Sequence, residues 1–350
     1  MEHSLYGMAD TMRVAARPAP RRVVEPASAA MHFLRSLRGR HDWRGDAGKR
    51  ALIAVKYLAR CLLMPRQQSG YLAFVEGNPL LRTFRRRDPR MQERHFHRYL
   101  NLGWNRHQRL RAIRQHYRHV LAAMPAPLFR AVYAEGGAPL GLLTLKDGSR
   151  LILSLRPPIF LGCEGELGIQ LSDERCHPLY RIVVTVTDER TLAIGCIQGP
   201  DGSEARDTVR ELTRQLHGLR PKCLMLALAC ALARHWGLTR VLAVGNAAHP
   251  LRNARRRFVA DYDAFWGEQQ GRAVDGGWYE LPLEPERKTA AEVPSQHRSA
   301  FRKREALRAE AEHLLIAALG ALPERHRQHT QGAGMPSVHH LFQGVCAEAS

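Results

Sequence analysis

A chain of 350 residues, 45% apolar and 25% charged, has the composition of a globular protein with room for a sizeable core. Its formal charge of +20 predicts attraction to polyanions: nucleic acid, anionic lipid headgroups or lipid A phosphates. No apolar run reaches the roughly 18 residues a membrane-spanning helix needs, and seven cysteines without a CxxC pair exclude a disulfide framework and a Cys/His zinc site.

Residues 1–30, rich in Ala, Pro and Arg, predict a flexible arm. Acids at Glu2, Asp10 and Glu25 and the lack of a continuous apolar segment argue against a secretory signal. A cytoplasmic protein is expected, peripheral at the inner membrane where its charge attaches it. From about Met31 the pattern turns helical. Ala51–Leu63 reads as one core helix closed by Pro65, and Val75–Leu80 as a turn. Over Asn105–Ala123, Leu110, Ile113, Tyr117 and Val120 recur at helical spacing, and Arg106, Arg109, Arg111, Arg114 and Arg118 take much of the remaining surface. Residues 1–120 hold 25 Lys/Arg against eight Asp/Glu, so the excess charge belongs to this third. Residues 31–135 therefore read as a basic helical module. Arg85-Arg86-Arg87 with His95, Phe96, His97, Tyr99 and Trp104 suits phosphates and stacked bases; a solvated Arg-rich face is the plainer alternative, and anionic lipid the more natural polyanion.

Strands follow. Leu140–Leu145 and Arg150–Leu155 flank the hairpin turn Lys146-Asp147-Gly148-Ser149. Glu166–Leu171, Tyr180–Thr187 and Thr191–Gln198 read as further strands. A helix from about Ser203 leads to a turn at Gly218–Pro221, and a second helix runs to about Trp236. Arg240–Val244 reads as a buried strand, Arg255–Gln269 as a helix, Trp278–Leu283 as a strand, and Ser299–Leu319 as a basic helix. Residues 321–350 predict a loose tail. The class is α/β (α+β): the basic helical module, then a mixed β-sheet domain over 136–320.

Several side chains are candidates for chemistry. Gln215 to Lys222 forms a Gly-and-Pro turn before a helix. The amides at Lys222–Leu224, with Arg220 and Lys222, suit a diphosphate. A plain helix connection, with Gly218 at positive φ and Pro221 opening the next helix, is the alternative. Glu164 and Glu166 bracket a glycine, and strand alternation places both on one side as a general-base pair or a solvated edge. His217 and His249 stand in loops as groups that titrate near neutrality or as turn residues. Asn246 suits an αL turn or a ligand hydrogen bond. Tyr262, Phe265 and Trp266 form an aromatic helix stripe, the pattern of a packed core.

Several phrases resemble the VirK/YbjX-like family of Gram-negative bacteria: His97-Arg98-Tyr99-Leu100, His116-Tyr117, Glu164-Gly165-Glu166-Leu167, Ile194-Gly195-Cys196-Ile197-Gln198-Gly199, Leu216-His217-Gly218-Leu219-Arg220-Pro221-Lys222, Tyr262-Asp263-Ala264-Phe265-Trp266 and Phe301-Arg302-Lys303-Arg304. The resemblance covers about residues 50–315. It implies a role in envelope stress, virulence and tolerance of antimicrobial peptides, and no established reaction. Gln215-x-x-Gly218-x-Arg220 resembles the pyrophosphate loop of GNAT acyltransferases, Gln/Arg-x-x-Gly-x-Gly/Ala, departing from it at Arg220 and in an extra helix before the loop. That likeness implies an acyl-CoA or acyl carrier protein donor and a proton from Tyr262 to the leaving thiolate. Two non-enzymatic readings stand beside it: a lipid- or protein-binding factor for outer-membrane remodelling, and a nucleic-acid-binding stress protein.

Overall fold

The computed structural model describes residues 26–159, 162–252 and 261–320. The expected arm and tail fall largely on residues 1–25 and 321–350, outside that description; the first helix already begins at Pro26.

The helical half comprises α1 (Pro26–Ser36), α2 (Ala47–Leu62), α3 (Pro65–Gly77), α4 (Pro79–Arg87), α5 (Arg106–Ala123) and α6 (Ala126–Phe129). Its boundaries follow local chemistry. Asp46 caps α2 by accepting the Lys49 amide at 2.8 Å. Pro65 and Pro79 open α3 and α4, where a missing N–H costs nothing. The turn expected over Val75–Leu80 narrows to Asn78, whose Oδ1 accepts the Leu80 and Leu81 amides. Asn105 and Gln108 form a reciprocal capping box on α5.

One eight-stranded sheet follows: β1 (Ala138–Thr144), β2 (Arg150–Arg156), β3 (Leu167–Ser172), β4 (Pro178–Val186), β5 (Thr191–Gln198), β6 (Arg240–Val244), β7 (Arg272–Val274) and β8 (Trp278–Leu281). Its spatial order is β1-β2-β3-β4-β5-β6-β8-β7. Every neighbouring pair is antiparallel except β5 and β6. A parallel pair needs a crossover, supplied here by α7 (Ala205–Gln215) and α8 (Pro221–His235). The class read from the sequence, α/β with helices leading into a mixed sheet, is the class observed.

Residues Leu224–Ala233 of α8 are all buried. A helix apolar all round needs cover on every side. The sheet provides one side and α10 (Arg298–Leu319) another, through Leu307, Ala311, Leu315 and Leu319 at four-residue spacing. The main core is continuous across both halves of the chain, joining Tyr71, Phe84 and Tyr117 to Leu153, Ile169 and Ile182. Each such fully buried side chain contributes about 1.5–3 kcal/mol. A smaller cluster of Phe33, Tyr57, Cys61 and Leu72 holds α1 and α2 onto α3. Cys61, Cys163, Cys196, Cys223 and Cys230 are free thiols, as expected of a chain without a disulfide framework, but Cys176 is disulfide-bonded, which corrects that expectation at one position. Among the described residues no helix is long and apolar enough to cross a membrane.

Candidate functional site

The parallel ladder of β5 and β6 runs from Thr191 opposite Arg240 to Ile194 opposite Ala243. Beyond it β6 ends at Val244 while β5 continues to Gln198, so the two strands leave a fork. A β-bulge marks the point. Opposite β4, the partner of Val183 is Cys196 and that of Val184 is Ile194, leaving Gly195 as the extra residue. A Cβ on Gly195 would lie 1.7 Å from the Glu164 carbonyl oxygen and 2.8 Å from Leu100 Cδ1. Glycine therefore lets the segment before β3 lie directly on β5.

The strap carrying Leu100, itself at φ 53°, holds this approach in place. The Leu100 amide donates to the Cys163 carbonyl at 2.7 Å, and the Leu102 amide to the Ala248 carbonyl at 2.8 Å. Asn101 Nδ2 donates to the Gly276 carbonyl at 2.9 Å. Three loops around the fork are thus tied to one short segment, Leu100–Leu102.

Two stacked rings occupy the fork. His249 and Tyr262 lie 5.2 Å apart at 20°, and Tyr262 stacks in turn on Trp266 at 5.8 Å and 8°. The Tyr262 hydroxyl donates to the Ile197 carbonyl at 3.1 Å and accepts the Ile197 amide at 3.3 Å. It so takes the main-chain groups that β5 would otherwise show to a neighbouring strand. Tyr262 opens α9 (Tyr262–Glu268), and Asn246 fixes its entry. Asn246 Oδ1 accepts the Tyr262 amide at 2.8 Å, and its Nδ2 donates to Asp261 Oδ1 at 3.0 Å. The side chain of Asn246 serves the cap of α9. Residues 255–260 of the expected Arg255–Gln269 helix lie outside the description.

Glu164 closes the fork from the β3 side. It is 2% exposed. Its carboxyl lies 3.5 Å from His249 Nε2, accepts Gln198 Nε2 at 3.4 Å, and receives the Cys196 thiol. Burial pushes its pKa up to about 7, against the pull of Cys196 and Arg181. Burial pushes His249 down to about 4, the Gly195 carbonyl acting the other way. At neutral pH the pair is thus a neutral imidazole beside a carboxyl poised to exchange a proton. Cys196 remains a thiol, because burial and the nearby Glu164 raise its pKa well above 9.0.

Glu166 faces another way. Gly165 sits at φ 143°, in the region that favours glycine, and this breaks the alternation that would have aligned the two carboxylates. Glu166 Oε2 accepts Arg94 and the Tyr117 hydroxyl, and Arg94 also pairs with Asp88. Burial raises the Glu166 pKa despite the opposing effects of Arg94 and Tyr117. This network joins the helices to the sheet.

The turn Gln215–Lys222 brings its residues to a second place. His217 and Gly218 both have positive φ, 55° and 84°. Gln215 ties α7 to the β1–β2 turn: its Oε1 accepts the Asp147 amide at 3.1 Å and its carbonyl the Lys146 amide at 3.1 Å. His217 is held below its ordinary pKa, by partial burial first and then by Lys303 and Lys146. The Cys223 and Leu224 amides both donate to the Arg220 carbonyl, spending two of the three amides expected for a diphosphate. Cations remain. A recess of about 270 Å³ at the start of α8 is lined by Arg220, Arg287, Lys288, Arg304 and Arg308 with one acid, Glu305. Arg220 also pairs with Glu268 at 2.7 Å. Lys222 Nζ lies 5.3 Å from the Phe265 ring centre, and its pKa is lowered by burial and then by Arg220. Phe265 belongs to α9, so one short helix links the recess to the fork. Among the described residues no group of His, Cys, Asp and Glu is arranged to hold a metal ion.

Cys196, Gln198 and Leu100 are the fork residues that sequence reasoning did not single out as chemistry. Gly195 within an apolar strand was the available signal, because an interior strand glycine marks a bulge or a close approach.

The family described as "Protein of unknown function (DUF535)" matches residues 46–315. The chain is 32% identical over 257 residues to "Uncharacterized protein YbjX" of Escherichia coli K12, covering 71% of this chain and 78% of that protein. Two proteins of Haemophilus influenzae, both titled "Uncharacterized protein", are 33% and 34% identical over 142 and 120 residues, covering 40% and 33% of this chain and 48% and 39% of their own lengths. No solved structure matches.

Proposed function

The chain belongs to the DUF535 family, and from the geometry of the fork we propose that it is an acyltransferase of GNAT-like architecture, with Glu164 as its general base. One observation carries this reading. A carboxyl held at a pKa of about 7 stands beside a bulge where the single parallel pair of an otherwise antiparallel sheet parts. A base poised near the working pH is what proton abstraction requires. The strand order, with its one parallel pair, supports this reading.

The donor is a thioester of CoA or of an acyl carrier protein. Its phosphates sit in the recess lined by Arg220, Arg287, Lys288, Arg304 and Arg308, where clustered guanidinium groups suit phosphate oxygens. Its chain reaches the fork past Phe265. The main-chain groups of Ile197, now held by Tyr262, are the natural partners for the amides of the donor, so binding turns Tyr262 and His249 out of the fork. The acceptor is an amine or a hydroxyl. Glu164 takes its proton as the acceptor attacks the thioester carbonyl. The C–S bond then breaks and the thiolate leaves.

Isothermal calorimetry with CoA and acetyl-CoA tests the donor site. Arg220→Ala and Arg304→Ala should each weaken binding by about 1–3 kcal/mol. Glu164→Gln should keep binding and abolish transfer to amine acceptors. Failure of the wild-type protein to bind either compound overturns the proposal and favours a non-enzymatic binding factor.

A further inference from the structure

Large apolar side chains are exposed almost entirely on the first two helices and the residue after them. Seven are exposed among the described residues, and six of them lie on or just after α1 and α2: Met31, Leu34, Leu52, Val55, Leu62 and Leu63, at 50–69% exposure. On α2, Leu52, Val55, the exposed Ala59 and Leu62 recur at steps of three, four and three, which makes one row along the helix. The opposite side is the packed one, with Tyr57 and Cys61 fully buried. The row is therefore the solvent-facing side of α2.

Cations border it. Lys49, Lys56 and Arg60 follow at steps of seven and four, along one edge of the row. Neither α1 nor α2 contains an acidic residue. Residues 26–63 hold eight Lys/Arg against two Asp/Glu. At the end of the row, Leu63 shares a recess of about 380 Å³ with Asn105, Arg106, His107 and Arg109, at the start of α5. Arg109 is crowded there by burial and then by Arg106 and Arg98, which lower its pKa. Like charges thus cluster at the end of an apolar row, with Arg109 donating to the His97 carbonyl.

We infer that the outer face of α2, with the adjoining recess at the start of α5, docks on an anionic lipid bilayer. Leu52, Val55, Leu62 and Leu63 enter the headgroup boundary, Lys49, Lys56 and Arg60 extend their ammonium and guanidinium groups to lipid phosphates, and Arg106 and Arg109 take a headgroup in the recess. Charge complementarity selects this occupant over a protein. Protein interfaces exclude Lys from their apolar centres, whereas a helix lying on a bilayer pairs an apolar row with a basic border.

Flotation of the full chain with vesicles is the test. Phosphatidylcholine mixed with phosphatidylglycerol should bind it, phosphatidylcholine alone should not, and rising salt should weaken binding as screening shortens the reach of charge. Leu62→Ser with Leu63→Ser should cut binding by about tenfold or more without changing thermal stability, because both side chains are exposed. Arg106→Glu should weaken binding by a separate route, through the recess. Equal binding to neutral vesicles overturns the inference, as does full binding by the double variant. A wild-type dimer that the double variant converts to monomer, with no vesicle binding, overturns it in favour of self-association.

Discussion

The main-chain carbonyl of Glu164 lies against Gly195 so closely that a Cβ there would stand 1.7 Å from its oxygen. Backbone cannot swing aside as a long side chain can, so Gly195→Ala must displace either β5 or the segment carrying Glu164. The expected cost is at the upper end of overpacking, about 3 kcal/mol or more. Gly70→Ala is the control: it lies in α3 with nothing within 4 Å of its would-be Cβ, and should stabilise by about 0.5–1 kcal/mol. Thermal unfolding of the two variants checks both signs.

Burial makes Glu164 a pH-dependent liability. Its folded pKa, about 7, lies above the ordinary 4.5. The unfolded chain therefore loses this proton first as pH rises, and stability falls between about pH 4.5 and 7 and is level above. The full cost is about 3 kcal/mol. Glu164→Gln keeps the shape of the protonated acid and removes the titration. It should match the wild type near pH 4.5 and unfold several degrees higher at pH 8. Equal melting temperatures at pH 8 would place the Glu164 carboxyl in a more hydrated site than the fork.

Much of the fold was legible because the chain punctuates itself. The Asp147-Gly148 turn, the apolar runs of β4 and β5, and the Pro221 and Gly237 stops mark their elements with local chemistry. α3 was missed because its buried face carries Gln68 and Ser69, which hydrogen-bond to Gln92 and His32, and so shows no apolar period. β7, three residues at the sheet edge, is too short to have a period. The fork was harder to see. Residue spacing placed Glu164 and Glu166 together, and the positive φ of Gly165 turned them apart. His249 meets Glu164 only through tertiary packing, across 85 residues of chain. The basic recess adds Arg287, Arg304 and Arg308 from distant segments to the turn containing Arg220.

Arg94 and Glu166 set the strength of the joint between helices and sheet. Their side chains are 1% and 0% exposed. Arg94→Met removes the buried cation and leaves the carboxylate without its main partner, which costs about 3–5 kcal/mol. Adding Glu166→Gln to that variant should restore much of the loss, because an amide needs no counter-charge. Lowering the pH should rescue Arg94→Met alone as Glu166 protonates. Urea unfolding of the two variants, with the single variant also followed across pH, reads the coupling directly.

Tyr262 distinguishes two accounts of the fork. Its hydroxyl is bound to both the amide and the carbonyl of Ile197, and burial, then Cys196 and Glu164, raises its pKa well above 10.0. In this state it serves β5 and has no proton to offer elsewhere. Tyr262→Phe leaves two main-chain groups of Ile197 without that partner, so the free protein should lose about 1–3 kcal/mol of stability. A thioester donor that pairs its own amides with Ile197 no longer displaces a hydroxyl. CoA should then bind more tightly to the variant and raise its melting temperature by more than it raises that of the wild type. Unchanged affinity with slower transfer would instead return Tyr262 to the role of proton donor for the leaving thiolate, because only the chemical step would then have lost a group. Calorimetry and thermal shift on the same two proteins decide between these outcomes.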